Sequence, residues 1–213
     1  MKKQTIYLFG AATLALAAGL WLGGMFFDAE RSATSNELAY NAFVYPTPKS
    51  IPDFELLDHQ GAPFDKARLR GHWSFVFFGY THCPDVCPMT LDTFKQVHDL
   101  LEADAAGVRD AQFVFVSVDP DRDTSDTLRD FVTFFDPSFI GATGDKGQLD
   151  QLTQGLYVVY AKVAGKDPEN YLMDHSAAVL LTNPDGDLHA VFTAPHKAAD
   201  IAQTFVRIRG AAG

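Results

Sequence analysis

The sequence predicts an α/β fold with a central mixed sheet. Two continuous apolar runs, Trp73–Tyr80 (WSFVFFGY) and Gln112–Val118 (QFVFVSV), flank the segment Met89–Leu101. Within that segment Leu91, Phe94, Val97, Leu100 and Leu101 recur at helical spacing. Such apolar runs read as strands buried on both faces, and strand–helix–strand implies parallel pairing through a right-handed crossover. Further on, Asn183-Pro184-Asp185-Gly186 is a strong turn between Ala177–Leu181 and Leu188–Phe192, which predicts an antiparallel hairpin.

The remaining elements follow in chain order. Met1-Lys2-Lys3 precedes an uncharged stretch from Thr5 to Phe27, and no Asp or Glu occurs before Asp28. As a helix that stretch spans roughly 34 Å, enough to cross a hydrocarbon core of about 30 Å. Ala15-Leu16-Ala17 resembles a signal-peptidase site, but the apolar run continues past the length of a signal-peptide core, which favours an uncleaved transmembrane helix. Lysines before it and acids after it place the bulk of the chain outside the cytoplasm, on the periplasmic side of an inner membrane. Either reading exports the domain. Residues 1–27 are therefore expected to be a membrane anchor, 28–50 a tether and 51–213 one folded domain. Tyr40, Phe43, Val44 and Tyr45 are more apolar than a linker needs, so part of the tether is expected to pack on the domain.

In the domain, Phe54–Leu57 is a strand leading into the turn Asp58-His59-Gln60-Gly61, and Asp65–Arg70 is one helical turn closed by Gly71. Thr124 or Ser125 caps a helix over Asp126–Phe135. Phe139–Gly141 is a short strand, Asp145 caps a helix over Gln148–Leu156, and Tyr157–Val163 alternates as a strand. Gly165–Asn170 is a polar loop. Ala198–Ile208 closes the chain as a helix with Ile201, Phe205 and Ile208 on one face. Strand–helix–strand followed by helix, hairpin and helix outlines a thioredoxin-like fold with additions.

Composition narrows the function. The 213 residues are 47% hydrophobic, enough for one core. The net charge of −10 argues against nucleic-acid binding, and the chain has neither a P-loop nor a dinucleotide fingerprint. Its two cysteines, Cys83 and Cys87, exclude a disulfide scaffold and a Cys-rich zinc module. They fall where the first central strand hands over to a helix, the place where open α/β folds put reactive or ligand-binding groups. The helix N-terminus there favours thiolate over thiol.

The spacing is C-x-x-x-C. Residues four apart on a helical turn point the same way, with Cα atoms roughly 6 Å apart. That suits a disulfide and equally two thiolates on one metal ion. A structural disulfide closing so small a loop adds little by the loop-entropy model. Buried inert thiols are the other bland reading. Redox chemistry, metal binding, or both remain.

Imidazole is the natural partner of two soft thiolates, and the chain has seven histidines. His82 adjoins Cys83, but chain direction points it away from the helix opening. His59, His72, His98, His189 and His196 are expected in turns or on solvent faces. His175 lies in the loop entering the hairpin, and in a thioredoxin-like layout that loop faces the cysteine turn. Asp119 follows the second central strand, on the same sheet edge as the cysteines, where a turn or capping role competes with a place near the site.

FGYTHCPDVCP (Phe78–Pro88), SVDPDRDT (Ser117–Thr124), FIGATG (Phe139–Gly144) and DHS (Asp174–Ser176) together resemble the signature blocks of the Sco (SenC/PrrC) family of copper chaperones, in order and in spacing. The similarity runs from about Ile51 to the end of the hairpin. Ala142 departs from it, standing where the family more often has Leu. The resemblance implies a thioredoxin-like domain binding one copper ion through Cys83, Cys87 and His175, with Asp119 near the site and in the second shell at most. It implies Cu(I) as the preferred cargo, with Cu(II) also accommodated. It implies a copper-receiving subunit of cytochrome c oxidase as the partner, and another copper chaperone or a thioredoxin-like reductant as a source of metal or electrons.

Chemistry fits that set. Two thiolates and an imidazole suit Cu(I) and fall one ligand short of a closed zinc site. Three other readings compete. A tethered thiol–disulfide oxidoreductase would use Cys83 and Cys87 as a redox-active pair. A peroxidase on the same fold would need Thr81 and Arg122 beside an activated cysteine. A copper or redox sensor would use the same three residues.

Overall fold

The structure is a computed structural model that describes residues 41–103, 111–163 and 171–212. The expected anchor, the first part of the tether and the Gly165–Asn170 loop lie outside the described residues. Among those described, no helix is long and apolar enough to cross a membrane. The strands are β1 (Ala42–Lys49), β2 (Glu55–Asp58), β3 (Pro63–Asp65), β4 (Trp73–Gly79), β5 (Ala111–Ser117), β6 (Ile140–Thr143), β7 (Tyr160–Val163), β8 (Leu172–His175), β9 (Val179–Thr182) and β10 (Leu188–Phe192). The helices are α1 (Lys66–Leu69), α2 (Val86–Ala103), α3 (Ser125–Phe135), α4 (Lys146–Gly155) and α5 (Ala198–Ala212).

Eight strands form one mixed sheet in the order β1-β10-β9-β4-β5-β6-β2-β3, with β4–β5 and β5–β6 parallel. Every residue of β4 is buried, as its unbroken apolar run requires. Alternation along β4 feeds two cores. Trp73, Phe75 and Phe77 meet α2, α3 and α5, while Val76 and Phe78 meet Phe54, Phe64 and the apolar residues of α4. The Asn183–Gly186 turn joins β9 to β10 as an antiparallel hairpin, with Gly186 at positive φ. Asp65, Thr124 and Asp145 cap α1, α3 and α4, each accepting a backbone N–H three residues on.

The differences from the sequence reading have local causes. The helix after the cysteines begins at Val86 rather than Met89. Pro88 sits in its first turn, where a missing N–H costs nothing. Ala42–Lys49, inside the span read as tether, pairs with β10 as an edge strand. Tyr157–Val163 is strand only from Tyr160. Tyr157 takes a positive φ of 58°, and Tyr157 and Val158 donate back to Gln154 and Thr153 at the end of α4. His175 ends a strand rather than lying in a loop, because β8 pairs with β7 in a separate two-stranded sheet.

Candidate metal centre

The carboxyl end of β4 builds one side of the site. After Gly79 and Tyr80 the chain turns, the Cys83 N–H donating to the Tyr80 carbonyl. Cys83 stops half-buried outside the helix, and Cys87, fully buried, lies in the first turn of α2. The Cys87 N–H, an orphan donor of that first turn, points at Cys83 Sγ at 3.5 Å. This contact is what the strand-to-helix placement leads one to expect.

Close approach of Cys87 to the strand depends on Gly79. A Cβ there would stand 2.6 Å from Cys87 Sγ and 2.8 Å from Phe115 Cε2. Only a residue without a side chain leaves room for that sulfur.

The two-stranded sheet supplies the other side. His175, at the end of β8, turns its Nε2 to within 3.5 Å of Cys87 Sγ. Its Nδ1 lies 3.2 Å from the Ser176 carbonyl, which can only accept. Nδ1 therefore carries the proton, and the Nε2 lone pair faces the thiols. Phe77 and Tyr80 meet the ring edge-on at 5.7 and 6.0 Å. Burial pulls the His175 pKa below its ordinary value and pushes the Cys87 thiol well above its own, so for Cys87 burial outweighs the helix N-terminus that was expected to favour the thiolate. Both shifts favour the uncharged forms, and a neutral imidazole protonated at Nδ1 can accept from the Cys87 thiol. A soft cation that displaced the thiol proton would relieve both penalties at once.

Cys83, Cys87 and His175 offer one ligand atom each, and these atoms lie within 4.8 Å of one another. The set is sized for one metal ion. Among the described residues a second group, His98 with Asp99 and Glu102, also clusters, on the exposed side of α2.

Asp119 is buried but outside the three-ligand cluster. It accepts from the Tyr171 hydroxyl at 2.6 Å and from Arg122 Nε at 2.6 Å. Arg122 also donates to the Tyr171 carbonyl, at the start of the strand that carries His175, and packs over the Tyr80 ring. Asp119 thus acts on the site only through these neighbours.

Sequence reasoning passed over Asp123. This fully buried carboxylate accepts from the Thr81 N–H and hydroxyl and from the Ser117 hydroxyl, fastening the cysteine turn to the end of β5. Its place in the SVDPDRDT block was the available signal. Thr81, one of the two residues a peroxidase would need, is held by Asp123, and Arg122, the other, by Asp119. The expected solvent-facing histidines divide. His72 is exposed, but His59 is buried, because its turn folds onto β6: its backbone donates to Gly141 O and its Nδ1 accepts from Gly141 N. His98, His189 and His196 are half-buried.

The SCO1/SenC family profile matches residues 45–209. The chain belongs to the SCO1/SenC family. It is 41% identical over 134 residues to the mitochondrial SCO2 homolog of Bos taurus, a match covering 63% of this chain and 50% of that one. It is 35% identical over 153 residues to the SCO2-like protein RP587 of Rickettsia prowazekii, covering 71% and 73%. The chain thus spans about half the length of the mammalian relatives it matches. Among solved structures, Arabidopsis thaliana ScoI with copper bound superposes with a TM-score of 0.70 at 32% identity, covering 75% of this chain and 98% of that one. The mixed sheet is thus the thioredoxin-like sheet of the Sco structures.

Proposed function

We propose that this protein is a membrane-anchored copper carrier. It binds one copper ion through Cys83, Cys87 and His175 and delivers it to the dinuclear copper centre of cytochrome c oxidase. Residues 5–27 cross the inner membrane and hold the domain on the periplasmic side. The observation that carries the reading is the convergence of two sulfurs and one imidazole nitrogen within 4.8 Å, with the imidazole lone pair turned toward the thiols. The copper-bound Arabidopsis relative supports it.

Two thiolates and one imidazole satisfy Cu(I) at low coordination number and leave room for a ligand from a partner. Copper then passes by stepwise ligand exchange and is never free. Only the reduced pair binds, so copper loading and redox state are linked.

The test is copper stoichiometry on the reduced protein. About one copper per chain is expected, weakened at least tenfold by His175→Ala and abolished by Cys83→Ser. Full retention in both variants would overturn the site.

A second reading, reduction of the thiols of the oxidase copper site, draws on one asymmetry. Cys83 is half-buried and Cys87 fully buried, the arrangement of an attacking and a resolving thiol. Disulfide exchange that persists undiminished in His175→Ala, with no copper held, would favour it over carriage.

A further inference from the structure

We propose that His82 is a docking ligand for arriving copper, one residue outside the thiol pair. The inference rests on the copper-carrier reading above and extends it to how the metal reaches the site.

The Thr81 hydroxyl donates its single proton to Asp123 Oδ1 at 2.6 Å. His82 Nδ1 lies 3.1 Å from the same hydroxyl oxygen and 3.7 Å from Asp123 Oδ1. With the hydroxyl proton already committed, His82 Nδ1 must be the donor in that contact. In the neutral ring the remaining nitrogen, Nε2, then carries the lone pair. It makes no hydrogen bond among the described residues.

Metal-ligating histidines commonly have one ring nitrogen held by a carboxylate, a carbonyl or water, which fixes tautomer and orientation and presents the other nitrogen to the metal. Here a hydroxyl that is itself held by Asp123 takes that place. The carboxylate here is fully buried and pinned by three donors, while the His82 side chain is 52% exposed. The same carboxylate that fastens the cysteine turn to β5 thus also steadies an imidazole that stands in solvent, which preorganises it for a ligand arriving from outside.

His82 does not belong to the three-ligand cluster, so it is no resident ligand. Its chain neighbour Cys83 is the more exposed of the two thiols. In the transfer step a Nε2–Cu bond forms as one ligand of the incoming complex leaves. Bonds from Cys83 sulfur, Cys87 sulfur and His175 Nε2 then form as the remaining ligands of the incoming complex and the His82 nitrogen leave one after another, and the two thiol protons pass to water. Copper keeps its oxidation state throughout.

The test is stopped-flow loading of the full-length reduced protein in detergent from a Cu(I)–bathocuproine disulfonate complex, with affinity measured separately by competition. His82→Ala should load at least fivefold more slowly, with affinity within twofold of the parent and an unchanged melting temperature. His82→Lys, which keeps an exposed side chain but lacks the imidazole lone pair, should match it. An unchanged loading rate would overturn the proposal, and so would an affinity loss as large as the rate loss, which would mark a resident or structural role. If the parent protein takes up no copper, the carrier reading itself fails, and the Cys83→Ser control then looks the same as the parent.

Discussion

Single side chains and single absences of side chain decide the chemistry of the site. Gly79 sets how close Cys87 comes to the central strand, a constraint invisible in a run of aromatics that merely ends in glycine. Gly79→Ala should cost about 1–3 kcal/mol by overpacking, read from denaturant unfolding, and should weaken copper binding by displacing Cys87 Sγ. Burial keeps Cys87 a thiol while Cys83 is reachable. Brief treatment of the reduced apoprotein with iodoacetamide should therefore label Cys83 first, giving a singly modified species by mass spectrometry. The histidines show how far the sequence was legible. His175 was expected in a loop facing the cysteine turn; it ends a strand instead, and its Nε2 stands 3.5 Å from Cys87 Sγ. His59 was read as a turn residue, because no spacing rule shows that its turn folds against β6. His189 packs edge-on against Trp73 with a buried Nδ1 that has no partner, and burial lowers its pKa. A histidine with a lowered folded pKa binds fewer protons folded than unfolded. Its contribution is complete above the ordinary imidazole value of about 6.5 and is lost as pH falls through the lower folded value. Apoprotein stability should accordingly decline from pH 7 to pH 5, and His189→Phe should flatten that slope in denaturant titrations.

At the level of elements, two turns and one short strand hold the ligands in register. The central strands were legible because both faces are buried and their sequences are apolar without interruption. The β7–β8 pair was legible only in part. Tyr157–Val163 was read as a strand from its alternation, but Leu172–His175 is short and half exposed and was read as the loop entering the hairpin. The pairing matters because it converts the segment before His175 from loop to strand, with Tyr160 opposite His175. The start of that strand is tied down by buried Asp119 and Tyr171 together with half-buried Arg122. Tyr171→Phe removes the hydroxyl that satisfies Asp119 and should cost about 1–3 kcal/mol in thermal or chemical unfolding. Phe77 lies under His175 in the centre of the sheet. Phe77→Ala should cost about 3–5 kcal/mol and loosen the imidazole, so that copper affinity falls with stability.

The whole molecule joins three kinds of information that its sequence kept in separate stretches. The sheet brings the cysteine turn, the SVDPDRDT turn and the end of β8 to one site, although Cys83 and His175 are far apart in the chain. Layout predicted that convergence, and the structure supplies its distances. The segment Ala42–Lys49 was expected to pack on the domain but not as a strand, because its two prolines and mixed polarity look like linker, and only pairing with β10 makes it one. Membership of the SCO1/SenC family accounts for why four short blocks fall in this order. The anchor is a whole-molecule property too. If residues 5–27 span the bilayer, alkaline carbonate should leave the full-length protein in the membrane pellet, and a chain lacking residues 1–27 should move to the supernatant. The most direct measurement of the central claim is X-ray absorption at the copper edge on the reduced, copper-loaded protein. Two sulfur scatterers and one imidazole nitrogen are expected, with the nitrogen lost in His175→Ala. A shell of sulfur alone in the parent, or a nitrogen that survives the substitution, would contradict it.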